Sequence, residues 1–233
     1  MTDMTLWLLL FFFLTILLTG APIGAALGLS SAIVIYATMN VPLIVVAQRM
    51  FTSVDSFSFM AVPFFMLAGA FMSSGGVTRR LVDFANALVG ALAGGLALVV
   101  AVAGMFFAAL SGSSAATTAA IGVAMIDEME KRGYPKSFAA AVVATGGTVG
   151  IVIPPSVTMV VYGVIAGTSI GDLFMGGFAP GILMGIATCL VSWVIAKKKG
   201  YLGEGKATFA RIARTFKDCI WALLMPVIIL GGI

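Results

Sequence analysis

Long apolar runs alternate with short polar breaks along this chain, and the breaks are of two kinds: charged clusters that end a run, and uncharged Gly, Ser or Pro steps inside one. The first run, Leu6 to Leu18, turns at Gly20-Ala21-Pro22, and a second continues from Ile23 to about Met39 before Asn40-Val41-Pro42. No Lys or Arg precedes the first run and no small-residue cleavage site is followed by soluble sequence, so it reads as a span rather than a leader. Val41 to Met50 is a short amphipathic piece, and Phe57 to Met72 is a third span that ends over Ser73 to Gly76. Val77 to Leu92 differs in kind. Arg79, Arg80, Asp83 and Asn86 fall close to one helical face, with Leu81, Phe84, Leu88 and Leu92 elsewhere, the pattern of a helix lying in the membrane interface.

From Leu96 the chain is apolar to Leu110, meets the hydroxyl-rich tip Ser111-Gly112-Ser113-Ser114, and runs on from Ala115 to Ile126 before Asp127, Glu128, Glu130, Lys131 and Arg132. Each arm has about 15 residues, roughly 22 Å of helix against a hydrocarbon core of roughly 30 Å. Two full spans and a re-entrant hairpin both return the chain to its starting side. The tip favours the hairpin, because an external loop usually carries a charge, Asn or Pro that this one lacks. The next element, Ser137 to Thr145, is broken over Gly146 to Pro155 and resumes from Val157 to Gly167. Pro154 and Pro155 lack N–H groups and three glycines relax the backbone before them, so a continuous helix is not expected. A simple proline kink is the plain alternative. In the functional reading, a discontinuous helix frees carbonyls near Gly147, Gly150 and Ile153 to bind a cation, and the break faces the hairpin tip.

Ser169 and Asp172 have capping-box spacing ahead of a sixth element, Leu173 to Ala196, which carries Pro180 and stops at Lys197-Lys198-Lys199. Gly200 to Asp218 is a basic linker with Lys206, Arg211, Arg214 and Lys217, expected to form a surface helix from Ala207 onward. Trp221 opens another apolar run to Ile233, from which the chain is expected to be the first part of a longer protein. The resulting divisions are 1–76 for scaffold spans, 77–93 for the interfacial helix, 94–132 for the hairpin and 135–167 for the discontinuous helix. The sixth span occupies 168–199, the linker 200–218, and a further span opens over 219–233. With the hairpin base at Lys131, Arg132 and Lys136 placed in the cytoplasm, 12 of the 13 Lys and Arg residues fall inside and only Arg49 outside. The N-terminus is then periplasmic.

Composition agrees with this pattern. Hydrophobic residues make up 61% and charged residues 9%, against roughly 25% charged in a soluble domain. The fold class is therefore an all-α integral membrane protein, a multi-span bundle with one re-entrant helical hairpin and one discontinuous helix. The net charge of +4 reports orientation rather than nucleic-acid binding. Cys189 and Cys219 have no ligand spacing, so neither a disulfide frame nor a transition-metal site is expected. Histidine is absent, and no Lys is placed within the bilayer to activate a tip serine, which argues against an intramembrane serine hydrolase or any other enzyme. A purely structural scaffold would not need the broken helix or the hydroxyl-rich tip. A secondary transporter uses both.

PFFMLAG at Pro63 to Gly69, the SGSSAATTAAIG tip, GIVIPPS with the following TSIGDLFMGGFAPG, and the final WALLMPVIILGGI resemble the large membrane (permease) subunit of tripartite ATP-independent periplasmic (TRAP) transporters, over essentially the whole chain. The resemblance implies two inverted repeats working as a sodium-coupled elevator, of which this chain is the first and the opening of the second. Implied partners are a small membrane subunit and a periplasmic substrate-binding protein in the bacterial inner membrane, with a small carboxylate such as a C4-dicarboxylate or sialic acid as substrate. By position, Ser111, Ser114, Gly150, Ile153 and Pro155 match that family's first sodium site. Hydroxyls and unwound carbonyls suit Na+, a hard cation and the coupling ion here; no other cofactor is expected. Which of the tip serines ligates is left open by their closeness in sequence. Ser113, Ser114, Thr117 and Thr118, where the second arm directs N–H groups at the tip, are the substrate candidates with Pro154 and Ser156. A sodium- or proton-coupled anion carrier of similar architecture without a binding protein is the alternative.

Overall fold

The computed structural model describes residues 3–39, 41–55, 57–203 and 208–231, and among them all regular structure is helical. The chain divides into two compact units, Met1–Ser56 and Phe57–Ile233. In the first, α1 (Asp3–Leu18) and α2 (Ile23–Met39) pack together across the turn at Gly20, whose φ of 84° is the left-handed conformation glycine tolerates best. Ala26, Ser30 and Val34, four apart on one face of α2, are buried. The amphipathic piece forms α3 (Leu43–Val54). Asn40, expected in the turn before it, lies outside the described residues.

The second unit opens with a 3₁₀ turn, Phe57–Met60, that leads into α4 (Ala61–Ser74). Pro63 sits in the first turn of α4, where its missing N–H costs nothing. α5 (Val77–Val89) is the amphipathic helix, with Leu81, Phe84 and Ala85 buried. The hairpin follows as α6 (Gly95–Ser111) and α7 (Ser114–Lys131), then α8 (Lys136–Thr148), a 3₁₀ turn Val149–Ile151, and α9 (Val157–Ala166). α10 (Ile170–Lys198) and α11 (Phe209–Gly231) complete the described fold. Among the described residues α10 is the one helix long and apolar enough by itself to cross a membrane.

α6 is the centre of this unit. Leu96, Val99, Val100, Ala103, Phe107 and Leu110 are buried on it, so apolar contact surrounds nearly its whole girth. Such a helix is a core helix rather than an amphipathic one. It packs against α5, α7, α8 and α10. Gly104 makes the α8 contact possible, since a Cβ there would stand 3.4 Å from the backbone of Gly146.

Three expectations change. The hairpin arms are 17 and 18 residues, about 26 Å, because Asp127, Glu128 and Glu130 continue the helix instead of ending it. Arm length therefore does not distinguish a re-entrant hairpin from two crossings. The break is shorter than Gly146 to Pro155: Gly146 and Gly147 stay helical in α8 and serve close packing, so departure from the α-helix begins at Val149. The expected linker helix and the final apolar run are one helix, α11, with Arg211, Arg214 and Lys217 exposed on its first turns. Lys206 and Ala207 lie outside the described residues.

The base of the hairpin is fastened at one point. The amide of Gly94 donates to the carbonyl of Tyr201 at 2.9 Å, and the Tyr201 ring stacks on Tyr134 with centroids 4.1 Å apart. Glu128 and Arg132 pair at 2.8 Å beside it, but both are exposed, and such pairs contribute little.

Candidate functional site

Ser111 is the last residue of α6 and Gly112 turns the chain with φ 59°, a conformation that disfavours any side chain. Ser113 is extended and caps α7, its hydroxyl accepting from the Ala116 amide at 3.4 Å. The hydroxyls of Ser111 and Thr117 lie 2.9 Å apart, and that of Thr117 donates to the Ser113 carbonyl at 2.8 Å. The Ser111 hydroxyl also lies 3.3 Å from the Ser113 carbonyl and accepts from the Ser113 amide at 3.4 Å, so the two hydroxyls and this peptide form one small network in which either hydroxyl can donate to the other. Both side chains are buried, at 3% and 0% exposure.

In the break, Ser156 caps α9 by accepting from the Met159 amide at 3.4 Å, while its hydroxyl donates to the Ile151 carbonyl at 2.8 Å. The Pro154–Pro155 peptide is cis. Among the described residues none donates to the carbonyls of Gly150 or Ile153. Buried carbonyls without donors are uncommon, and they are the groups a cation would satisfy. Both residues are buried. α10 receives this segment in a groove of small residues: a Cβ on Gly181 would come within 3.2 Å of the Ile153 nitrogen, and one on Gly177 within 2.7 Å of the Val152 carbonyl.

The two breaks touch. The Val157 amide donates to the Gly112 carbonyl at 3.1 Å, so the first amide of α9 is satisfied by the hairpin tip. A Cβ on Gly150 would sit 2.9 Å from the Thr117 hydroxyl and 3.0 Å from the Ser113 carbonyl oxygen. Glycine here lets the backbone of the break reach the hydroxyls of the tip. Gly147 likewise stands against the Thr118 side chain and 3.2 Å, measured from its would-be Cβ, from the Ser114 carbonyl oxygen.

Ser111, Ser113, Thr117 and Gly150 are therefore brought together, with Gly112 against Pro155. Thr117 and Ser156 are fully buried and their hydroxyls are engaged in holding the two turns, so their place is in the frame of the site. Ser113 and Ser114 are half-buried and Thr118 partly so. A cleft of about 590 Å³ opens beside the tip between α4, α5 and α7, with Ser111 and Ser113 at one part of its wall and Gly76, Thr78 and Arg79 at another. Sequence reasoning gave Gly69 and Thr78 no part in a site and set Arg79 on the polar face of an interfacial helix, whereas Arg79 lines the cleft that Ser111 and Ser113 also line. Gly69, whose would-be Cβ is 3.9 Å from Ser111, sits in the quoted PFFMLAG segment, and only the packing of α4 on the tip shows its use.

Residues 10–233 match the family model described as "Tripartite ATP-independent periplasmic transporter, DctM component". The chain belongs to this family. Among curated relatives, it is 49% identical over 226 residues to the isethionate TRAP transporter permease protein DctMQ of Oleidesulfovibrio alaskensis, covering 95% of this chain and 35% of that protein. It is 44% identical to the C4-dicarboxylate TRAP transporter large permease protein DctM of Pseudomonas aeruginosa, over 89% of this chain and 49% of that one. The sialic acid TRAP transporter permease protein SiaT of Haemophilus influenzae is 35% identical over 98% of this chain and 37% of its own length. The chain spans about half the length, or less, of these relatives. A TRAP permease component is a transport protein rather than an enzyme, and a helical bundle of apolar helices is what such a membrane component requires.

Proposed function

We propose that this chain supplies the first hairpin and broken helix of the permease of a sodium-coupled, binding-protein-dependent importer of small organic anions. The observation that carries the reading is the junction of tip and break, where Gly150, whose carbonyl has no donor, stands against a buried hydroxyl cluster without a fixed charge. Oxygen donors of this kind fit Na+, and the absence of a carboxylate at the tip lets the ion leave as readily as it enters. Ser111, Ser114, Gly150, Ile153 and Pro155 are the proposed sodium residues. Ser113, Ser114, Thr118 and Pro154 are the proposed substrate residues, with Thr117 and Ser156 supporting them from within the fold.

The named substrates of the relatives, isethionate, C4-dicarboxylates, 2,3-diketo-L-gulonate and sialic acid, are all small organic acids. A carboxylate or sulfonate is the class proposed here. A periplasmic binding protein and a small membrane subunit are the proposed partners, in the inner membrane, with the N-terminus periplasmic and the hairpin re-entrant from the cytoplasm. Movement of the hairpin and broken helix as one body past a scaffold is the proposed mechanism. Their direct backbone hydrogen bond supports that unit.

The test is uptake by the full-length protein with both partners in liposomes, across a panel of small carboxylates and sulfonates with and without a sodium gradient. Sodium-dependent uptake of at least one such anion is expected. Uptake that is indifferent to sodium for every transported anion would remove the coupling assignment.

A further inference from the structure

The N-terminal turn of α5 is not used by the site described above, although it lines the same cleft. Gly76 precedes it with φ 74° and supplies no side-chain cap, so the amides of Val77, Thr78 and Arg79 have no acceptor among the described residues. The Thr78 hydroxyl is buried, the residue being 8% exposed, and it too has no hydrogen-bond partner. A buried hydroxyl left without a partner costs stability unless a ligand or water completes it. Arg79 is exposed on the cleft wall, and no described carboxylate lies within ion-pair distance of it. Free helix amides at a positive dipole end, an orphaned hydroxyl and a guanidinium thus lie together in the one turn of α5 that lines this end of the cleft. Opposite them α4 and α7 present only small or apolar side chains such as Ala70, Ala120 and Ala124, which leave room and compete for nothing.

We infer that Gly76, Thr78 and Arg79 form an oxyanion subsite, distinct from the hairpin tip and joined to it by the cleft. Its ligand is a carboxylate or sulfonate of the transported anion, held on the way between Ser113 and the end of the cleft lined by α5. The alternative source of the same chemistry is the phosphate of a membrane lipid. This inference rests on the proposed transport function for its substrate, but the donor set itself does not.

Arg79→Ala, Arg79→Lys and Thr78→Val in the full-length transporter, reconstituted with its partners, test it. Loss of the guanidinium is expected to raise the KM for the anion about tenfold, since a charge-assisted hydrogen bond contributes about that factor. Thr78→Val should raise it severalfold, Arg79→Lys less than Arg79→Ala, and the sodium concentration for half-maximal uptake should not move. Measuring anion binding by the same variants in lipid-free dodecyl maltoside, a detergent without phosphate, separates the sources. A loss of affinity that persists in the detergent assigns the anion substrate, and an effect confined to lipid vesicles assigns the lipid phosphate. Unchanged KM and unchanged affinity for all three variants, with wild-type uptake intact, overturn the subsite. Failure of the wild type to show sodium-dependent uptake would instead strike the transport reading.

Discussion

The amide of Val157 donates to the carbonyl of Gly112 at 3.1 Å, so the turn of the hairpin supplies the missing acceptor of a helix that begins more than forty residues later. Position 112 cannot change without breaking this joint. A Cβ on Gly112 would stand 2.6 Å from the Pro155 carbonyl oxygen and 3.2 Å from the Val157 nitrogen.

Gly112→Ala should therefore lower stability by about 1–2 kcal/mol from the left-handed backbone alone, with the contact on Pro155 adding to it. Thermal unfolding of the purified full-length protein would show the loss, and uptake should fall with it. An unshifted melting curve would mean that tip and break are not joined in this way.

Ser111 and Thr117 should behave as one unit in sodium coupling. Ser111→Ala with Ser114→Ala is expected to weaken the sodium dependence of uptake, and Thr117→Val alone should reproduce part of the effect by releasing Ser111. In a cycle of Ser111→Ala, Thr117→Val and the double variant, the changes should be non-additive by about 0.5 kcal/mol or more. Simple additivity would mean that the hydroxyl pair at 2.9 Å carries no coupling.

Gly150→Ala tests the close approach of the break to the tip. Its Cβ would meet the Thr117 hydroxyl at 2.9 Å and the Ser113 carbonyl at 3.0 Å, so the hairpin must retreat by several tenths of an ångström. Sodium affinity is expected to drop by tenfold or more while the protein still folds and inserts. Gly167→Ala is not a fair control, because its φ of 65° carries a strain of its own; Gly176→Ala is, since nothing lies within 4 Å of the would-be Cβ.

Tyr201→Ala should loosen the hairpin base by about 1 kcal/mol through loss of the Tyr134 stack, and Tyr201→Phe should keep most of it. The backbone bond from Gly94 survives both changes. Melting temperatures that order Ala well below Phe and wild type would establish the ring contact as the fastening.

Re-entrancy is open to a chemical test. A cysteine placed at Ser113 should resist an impermeant periplasmic thiol reagent in at least one transport condition. Ready labelling under all conditions would favour two ordinary spans.

Much of this protein was legible in the chain itself because its signals are local. The turn at Gly20, the Ser169 cap and the interruption before Val157 depend on residues within a few positions of each other, and the structure has each of them where residue type requires. Element ends were less readable. Gly146 and Gly147 looked like breakers, but they face Gly104 and Thr118, and packing decided that they remain helical. Asp127 to Glu130 looked like a terminus, yet charges are tolerated on a helix whose other face is buried at Met125 and Met129.

Residue types and spacing by themselves determined that the chain is an apolar helical bundle with a hydroxyl-rich tip and a proline break, since these follow from backbone chemistry and burial of apolar surface. Only the tertiary structure decided which groups meet. It buried Thr117 and Ser156 in the frame, left the carbonyls of Gly150 and Ile153 without donors, and set Thr78 and Arg79 on a cleft shared with Ser111. The physical reason is that such contacts join residues far apart in sequence, and no local propensity encodes the distance at which two helices come to rest.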